Sequence, residues 1–231
     1  MKTIGLLGGM SWESTQTYYQ LINQGVRDKL GGLHSANLIL NSLDFAEIEQ
    51  LQARGDWEAA AALLTRAGLQ VQRAGADFLL ICTNTMHKVA DALESVLDIP
   101  LLHIADATAT QLKAKGIERV GLLGTAFTME QAFYRQRLIR RDIEVVTPVA
   151  LQRERVHQVI YEELCQGRIL DASRAEYLQV IDDLAEQGAQ AVVLGCTEIG
   201  LLVKQADTSV PLFDTTEIHA ASAVDWALST H

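Results

Sequence analysis

With 231 residues, 48% of them hydrophobic, the chain has enough apolar material for one large core or two smaller ones. A formal net charge of −10 argues against nucleic acid or an anionic membrane surface as a partner, since both demand a basic face. It leaves room for a small anionic ligand, because one pocket can differ from the average surface.

In chain order, short apolar runs alternate with amphipathic stretches. Strands are predicted over 2–8, 36–43, 77–83, 100–104, 119–125, 143–147, 191–197 and 211–215. Most are continuously apolar rather than alternating, as strands covered on both faces should be. Helical periodicity lies between them, over 14–29, 57–73, 86–96, 105–115, 129–141, 154–166, 172–187 and 217–229. This alternation predicts an α/β fold with parallel sheets flanked by helices. No segment approaches the roughly 20 apolar residues of a membrane helix. The opening MKTIGLLGGMSWES has an apolar run too short for a secretory signal, so a cytoplasmic location is expected. Cys82, Cys165 and Cys196 show no CxxC spacing, which fits reduced thiols better than disulfides or zinc.

The chain is also written twice. TIGLLGGMSWESTQTYY from residue 3 matches RVGLLGTAFTMEQAFYR from residue 119, with Gly5–Gly8 on Gly121–Gly124 and Tyr18 on Tyr134. GADFLLICTN from 75 matches GAQAVVLGCT from 188, and DIPLL from 98 matches SVPLF from 209. Three matches in one order, at offsets of 116, 113 and 111, indicate a duplication. Two pseudo-symmetric domains are expected, 1–98 plus 216–231 and 99–215, each a four-stranded parallel sheet. The active site is then expected in the cleft between the carboxyl ends of their strands.

The second match decides which residue stands opposite Cys196. At a constant offset of 113, Cys82 falls on Gly195 and Thr83 on Cys196. Cys82, one residue early, should point to the other face of its strand and pack in the core. A helix N-terminus following the strand would favour a thiolate at Cys196, with Thr197 as its cap. Asn84 and Thr85 offer polar groups in the first copy. The GLLGGMS loop lacks the nucleotide-binding glycine pattern. It reads instead as a turn whose amides at Gly9, Met10 and Ser11 can hold a carboxylate. No His/Asp/Glu spacing argues for a metal. His87, four residues past Thr83, can come near the cleft but reads more plainly as a core or solvated histidine. Cys165 reads as a packing residue.

Taken together, GLLGGMSWEST, LNSLDF, NTMH, VGLLGT and GCTEI resemble the aspartate/glutamate racemase family over essentially the whole chain. They are closest to its enterobacterial branch associated with L-aspartate and L-glutamate. The resemblance implies an amino-acid racemase that uses neither pyridoxal phosphate nor metal, with two pseudo-symmetric α/β domains in a homodimer and a small amino acid as ligand. It also implies a pair of cysteines on opposite faces of the substrate Cα. Cys196 matches the second of these. The first normally precedes Asn-Thr, and here that residue is Thr83. Met10, Ser11, Gln52, Asn84, Thr85, Thr197 and Glu198 are implied substrate contacts. Gln52 or Arg54 stands in for the Pro-Asp-Arg segment that many aspartate racemases carry after the second strand. A hydroxyl is a far weaker acid than a thiol, whose reference pKa is about 8.5, so one-sided turnover is expected. Alternatives are a single-cysteine decarboxylase or isomerase of small dicarboxylates, and a binding protein that keeps the cleft without the chemistry.

Overall fold

The structure, a computed structural model, describes residues 1–229. It divides into two compact units, Met1–Ile104 with His219–His231, and Ala105–Ile218. The strands are β1 (Ile4–Gly8), β2 (Leu38–Ser42), β3 (Phe78–Ile81), β4 (Arg119–Gly124), β5 (Glu144–Val146), β6 (Ala191–Gly195) and β7 (Leu212–Asp214). Their pairings are parallel, in the order β2-β1-β3 in the first unit and β5-β4-β6-β7 in the second.

Among the described residues the first sheet has three strands, where four were expected. Residues 100–104 contribute a single bridge, Leu79 to Leu101. Pro100 has no N–H to add to the ladder, and the helix Ile104–Ala114 begins three residues past Leu101, ending the extended run. The bridge still keeps the register of its counterpart. Leu79 N–H donates to the Pro100 carbonyl at 2.9 Å, as Val192 N–H does to that of Pro211 at 2.8 Å. The duplicated sequence thus carries duplicated main-chain bonds.

In the first unit, residues of β1 and β3 alternate between two cores. Ile4, Leu6, Phe78, Leu80 and Cys82 lie on one side with Tyr18, Ile22 and Val224. Leu7, Leu79 and Ile81 lie on the other with Leu64, Val71 and Met86. This is the period-two alternation of a strand, with each face covered by helices. In the second unit Val192, Leu194 and Cys196 share one core with Tyr177, Ile181 and Ile199. Gly5 and Gly121 show why the repeat keeps glycine here. A Cβ at Gly5 would lie 2.5 Å from Val71 Cγ1, and one at Gly121 would lie 2.8 Å from Leu184 Cδ1. In both sheets a helix rests directly on the strand backbone.

Several helices differ from their predicted extents. The helix predicted over 129–141 is two short helices, Ala126–Glu130 and Ala132–Ile139, because the backbone is extended at Gln131 between them. The helix predicted over 154–166 is Ala150–Glu162, followed by a 3-10 turn at Leu164–Gln166. A helix not predicted, Phe45–Arg54, is bounded by Asp44, whose side chain accepts from the Ala46 amide, and by Gly55 in the left-handed region. Among the described residues no helix is long and apolar enough to cross a membrane.

His219 is fully buried in the first unit. Its Nε2–H donates to the Leu102 carbonyl and its Nδ1 accepts the Tyr18 hydroxyl, each at 2.8 Å. Burial pushes its pKa down to about 4, with the bond to Leu102 acting the other way. The neutral ring is therefore the folded form. The unfolded chain takes up a proton near pH 6.5, so this contribution to stability is complete above about 6.5 and is lost as pH falls toward 4. Denaturant unfolding should show that His219→Gln loses less stability than the unmodified protein across this window, by roughly 3 kcal/mol.

Candidate active site

In the first unit the candidate residues gather at the carboxyl end of the sheet. After β3 the chain runs through Cys82 and Thr83 into a 3-10 turn, Thr85–Val89. Cys82 is fully buried on the Phe78–Leu80 face. Thr83 is the only partly exposed residue between Leu79 and His87. Asn84 and Thr85 are buried beside it. Burial pushes the Cys82 thiol far above the ordinary range, so it stays protonated. Truncating Cys82 to Ala should cost about 1 kcal/mol of stability, as a small core deletion does, and leave Cα–H exchange unchanged; thermal unfolding alongside an exchange assay checks both.

Two side chains of the helix Trp12–Leu30 brace this end. Ser14 Oγ donates to the Cys82 carbonyl at 2.9 Å. Thr15 Oγ1 accepts the Gly9 amide at 2.8 Å and donates to the Ser11 carbonyl at 2.9 Å. This corrects one expectation. The Gly9 amide is turned inward to Thr15, so it offers a ligand no donor. Gly9 itself has φ 85°, and a Cβ there would meet the Leu43 carbonyl oxygen at 2.1 Å. The Ser11 side chain caps the helix by accepting from Ser14 N–H. Met10 is buried among Leu7, Ile48 and Met86. Gln52 is buried and its Nε2 points at Met86 Sδ, 3.0 Å away, whereas Arg54 is exposed. Ser14 and Thr15 were overlooked in the sequence. Their signal was the S-x-x-S-T spacing at the start of a helix, which sets both hydroxyls back toward the strand end.

In the second unit Cys196 follows β6 directly and is nearly buried. Its Sγ–H donates to Glu198 Oε2 at 3.0 Å, and Thr197 Oγ1 donates to the same oxygen at 2.6 Å. Two expectations change here. Thr197 does not cap the following helix, because its hydroxyl goes to Glu198. That helix, Ile199–Leu202, is only four residues long, so its dipole is weak. The thiol is accordingly not lowered. Burial pushes it well above its ordinary value, and the negative charge of Glu198 pushes the same way. At rest Cys196 is a thiol whose proton is already aimed at a carboxylate. Among the described residues no group of three His, Cys, Asp or Glu side chains is arranged to hold a metal ion.

Residues 7–223 match the Asp/Glu/hydantoin racemase family model. The chain belongs to that family. Over 99% of its length it superposes on a Yersinia pestis protein provisionally assigned as an Asp/Glu racemase, with 59% identity, a TM-score of 0.93 and all of that chain covered. An aspartate racemase homologue from Pyrococcus horikoshii is 33% identical, with a TM-score of 0.87 over 99% of this chain and 100% of the other. The broad-specificity amino-acid racemase RacX of Bacillus subtilis is 22% identical over 98% of each sequence.

Proposed function

We propose that the protein is a cofactor-independent racemase of aspartate, glutamate or a similar small amino acid, working with a single thiol. The observation that carries this reading is the bond from Cys196 Sγ–H to Glu198 at a strand end, in a chain of the racemase family. Proton removal from Cα needs a base poised against it. A thiol sharing its proton with a carboxylate becomes one when that proton moves across to Glu198 and the electron pair stays on sulfur. The charge of Glu198 opposes a thiolate while the site is empty. The ammonium group of an arriving amino acid offsets that charge, so the base forms when substrate is present.

Cys196 then takes the Cα proton of the L-enantiomer. Thr83, directly or through water, is the donor for the opposite face. Met10, Ser11, Gln52, Asn84, Thr85 and Thr197 line the substrate. The acidic side-chain preference rests on the relatives; Gln52 stands where many aspartate racemases carry a gripping arginine, and a neutral amide holds a carboxylate less tightly. In this reading Glu198 serves the thiol more than the substrate, since two neighbours already occupy its Oε2.

The test is a panel of L- and D-amino acids in deuterated buffer, read by proton NMR for loss of the Cα–H signal. Aspartate or glutamate should lose it. If no amino acid exchanges while several bind, the protein is a binder and the reading fails. If dicarboxylic acids without an amino group react instead, the chemistry is that of a decarboxylase or isomerase.

A further inference from the structure

We propose that His87 is a positioning residue for Thr83, fixing the weak acid on the second face of the substrate; the inference rests on the racemase reading above. Because residues 85–89 wind as a 3-10 turn, the His87 amide donates to the Asn84 carbonyl at 3.1 Å. The main chain of the turn therefore leaves the Thr83 carbonyl to a side chain. His87 Nδ1 takes it at 2.8 Å. The other ring nitrogen, Nε2, accepts the amide of Ile104 at 3.2 Å, where the next long helix begins. One ring thus satisfies a part-buried carbonyl and a buried amide.

These partners dictate the protonation state. A carbonyl at Nδ1 requires N–H there, and an amide N–H at Nε2 requires a lone pair. His87 is neutral with its proton on Nδ1, and neither nitrogen is available to a substrate. A role for His87 as an alternative acid is thereby set aside. The ring is held on its sides as well. That of His103 lies 4.4 Å away and that of His219 5.7 Å away, centroid to centroid. All three histidines are buried.

The duplication shows that this clamp belongs to one half only. At the offset of 113, His87 falls on Gly200, which has no side chain to offer. There the Cys196 carbonyl is held by a main-chain bond from Ile199 N–H at 3.2 Å. The half with the good acid–base group has a plain turn. The half with a hydroxyl has a buried ring locking the peptide that directs it. A poor donor depends more on fixed geometry, because displacement by about 1 Å can cost on the order of a hundredfold in rate.

The experiment compares two rates in one sample: exchange of L-substrate Cα–H, which reports Cys196, and formation of D-product, which also needs Thr83. Their ratio is insensitive to any loss of folded protein. His87→Leu, which fills the space without hydrogen bonding, should lower the ratio of D-product to L-exchange by about tenfold or more. His87→Asn, which can place an amide N–H where Nδ1–H stood, should hold that ratio within about threefold. An unchanged ratio in His87→Leu, or an equal fall of both rates in a folded protein, overturns the proposal. Independently of activity, NMR of the ring nitrogens should find the neutral Nδ1–H form at neutral pH, and a charged or Nε2–H ring overturns it too. A failure of the racemase reading shows itself differently, as absence of exchange in the unmodified protein.

Discussion

Replacing Cys196 with Ser should lower Cα–H exchange of the L-substrate by about a thousandfold or more, within the range that a positioned general base supplies. The substitution keeps the size and a donor for Glu198, so the fold should stand. What it removes is the acidity. A serine hydroxyl cannot pass its proton to a carboxylate at neutral pH, so the 3.0 Å bond survives as a hydrogen bond and ceases to be a route to a base. Exchange measured by proton NMR, beside a circular-dichroism spectrum and a binding titration, separates lost chemistry from lost structure. Exchange persisting in Cys196→Ser would move the base elsewhere.

Thr83→Cys should have the opposite sign. A thiol with a reference pKa of about 8.5 gives up its proton far more readily than a hydroxyl. D-product formation should therefore rise by on the order of a hundredfold, while L-substrate exchange changes little. Thr83 is partly exposed, so the larger sulfur meets less resistance than it would in the adjacent core. Chiral chromatography of the product mixture reads the effect directly. A variant whose D-product rate stays at the starting level, with the introduced thiol shown to be accessible to alkylation, would mean that the second proton does not come from this position.

Much of the architecture was legible in the sequence because it depends on patterns that burial imposes. Continuously apolar runs marked the strands of both sheets. The offset of 113 put Thr83, not Cys82, in the register of Cys196. The structure shows Cys82 on the Phe78–Leu80 face, whereas Cys196 shares the face of Val192 and Leu194, the equivalents of Leu79 and Ile81. That residues 100–104 make one bridge and no fourth strand was not legible, since PLLHI is as apolar as a strand and only the onset of the helix at Ile104 cuts it. The helix Phe45–Arg54 was missed although Asp44 and Gly55 stood at its two ends as capping signals.

The site was harder to read. Residue types and register could be read, but hydrogen-bond direction could not. Glu198 was legible as a polar residue beside Cys196; that its Oε2 accepts from both Cys196 and Thr197 was not. A helix dipole was expected to help the thiolate, and the four-residue helix Ile199–Leu202 supplies little of one. Spacing alone put His87 within reach of the cleft, with a core or solvated histidine as the plainer reading. That both its nitrogens go to backbone became evident only once the turn was known to be 3-10, which leaves the Thr83 carbonyl to the ring.

The one-thiol mechanism is tested most directly by the exchange rates of the two enantiomers in the unmodified protein. In the proposed mechanism an L-amino acid with its Cα–H toward Cys196 loses its proton to sulfur, and that site exchanges with deuterated solvent. The substrate can then regain deuterium on the same face and keep its configuration. In the same mechanism a D-amino acid would present its Cα–H to Thr83, which is a poor base. Proton NMR of L- and D-aspartate, or L- and D-glutamate, in deuterated buffer should show the L-enantiomer exchanging faster by about tenfold or more, and ahead of D-product formation. Equal exchange rates for the two enantiomers would contradict the mechanism and require a second acid–base group as effective as Cys196.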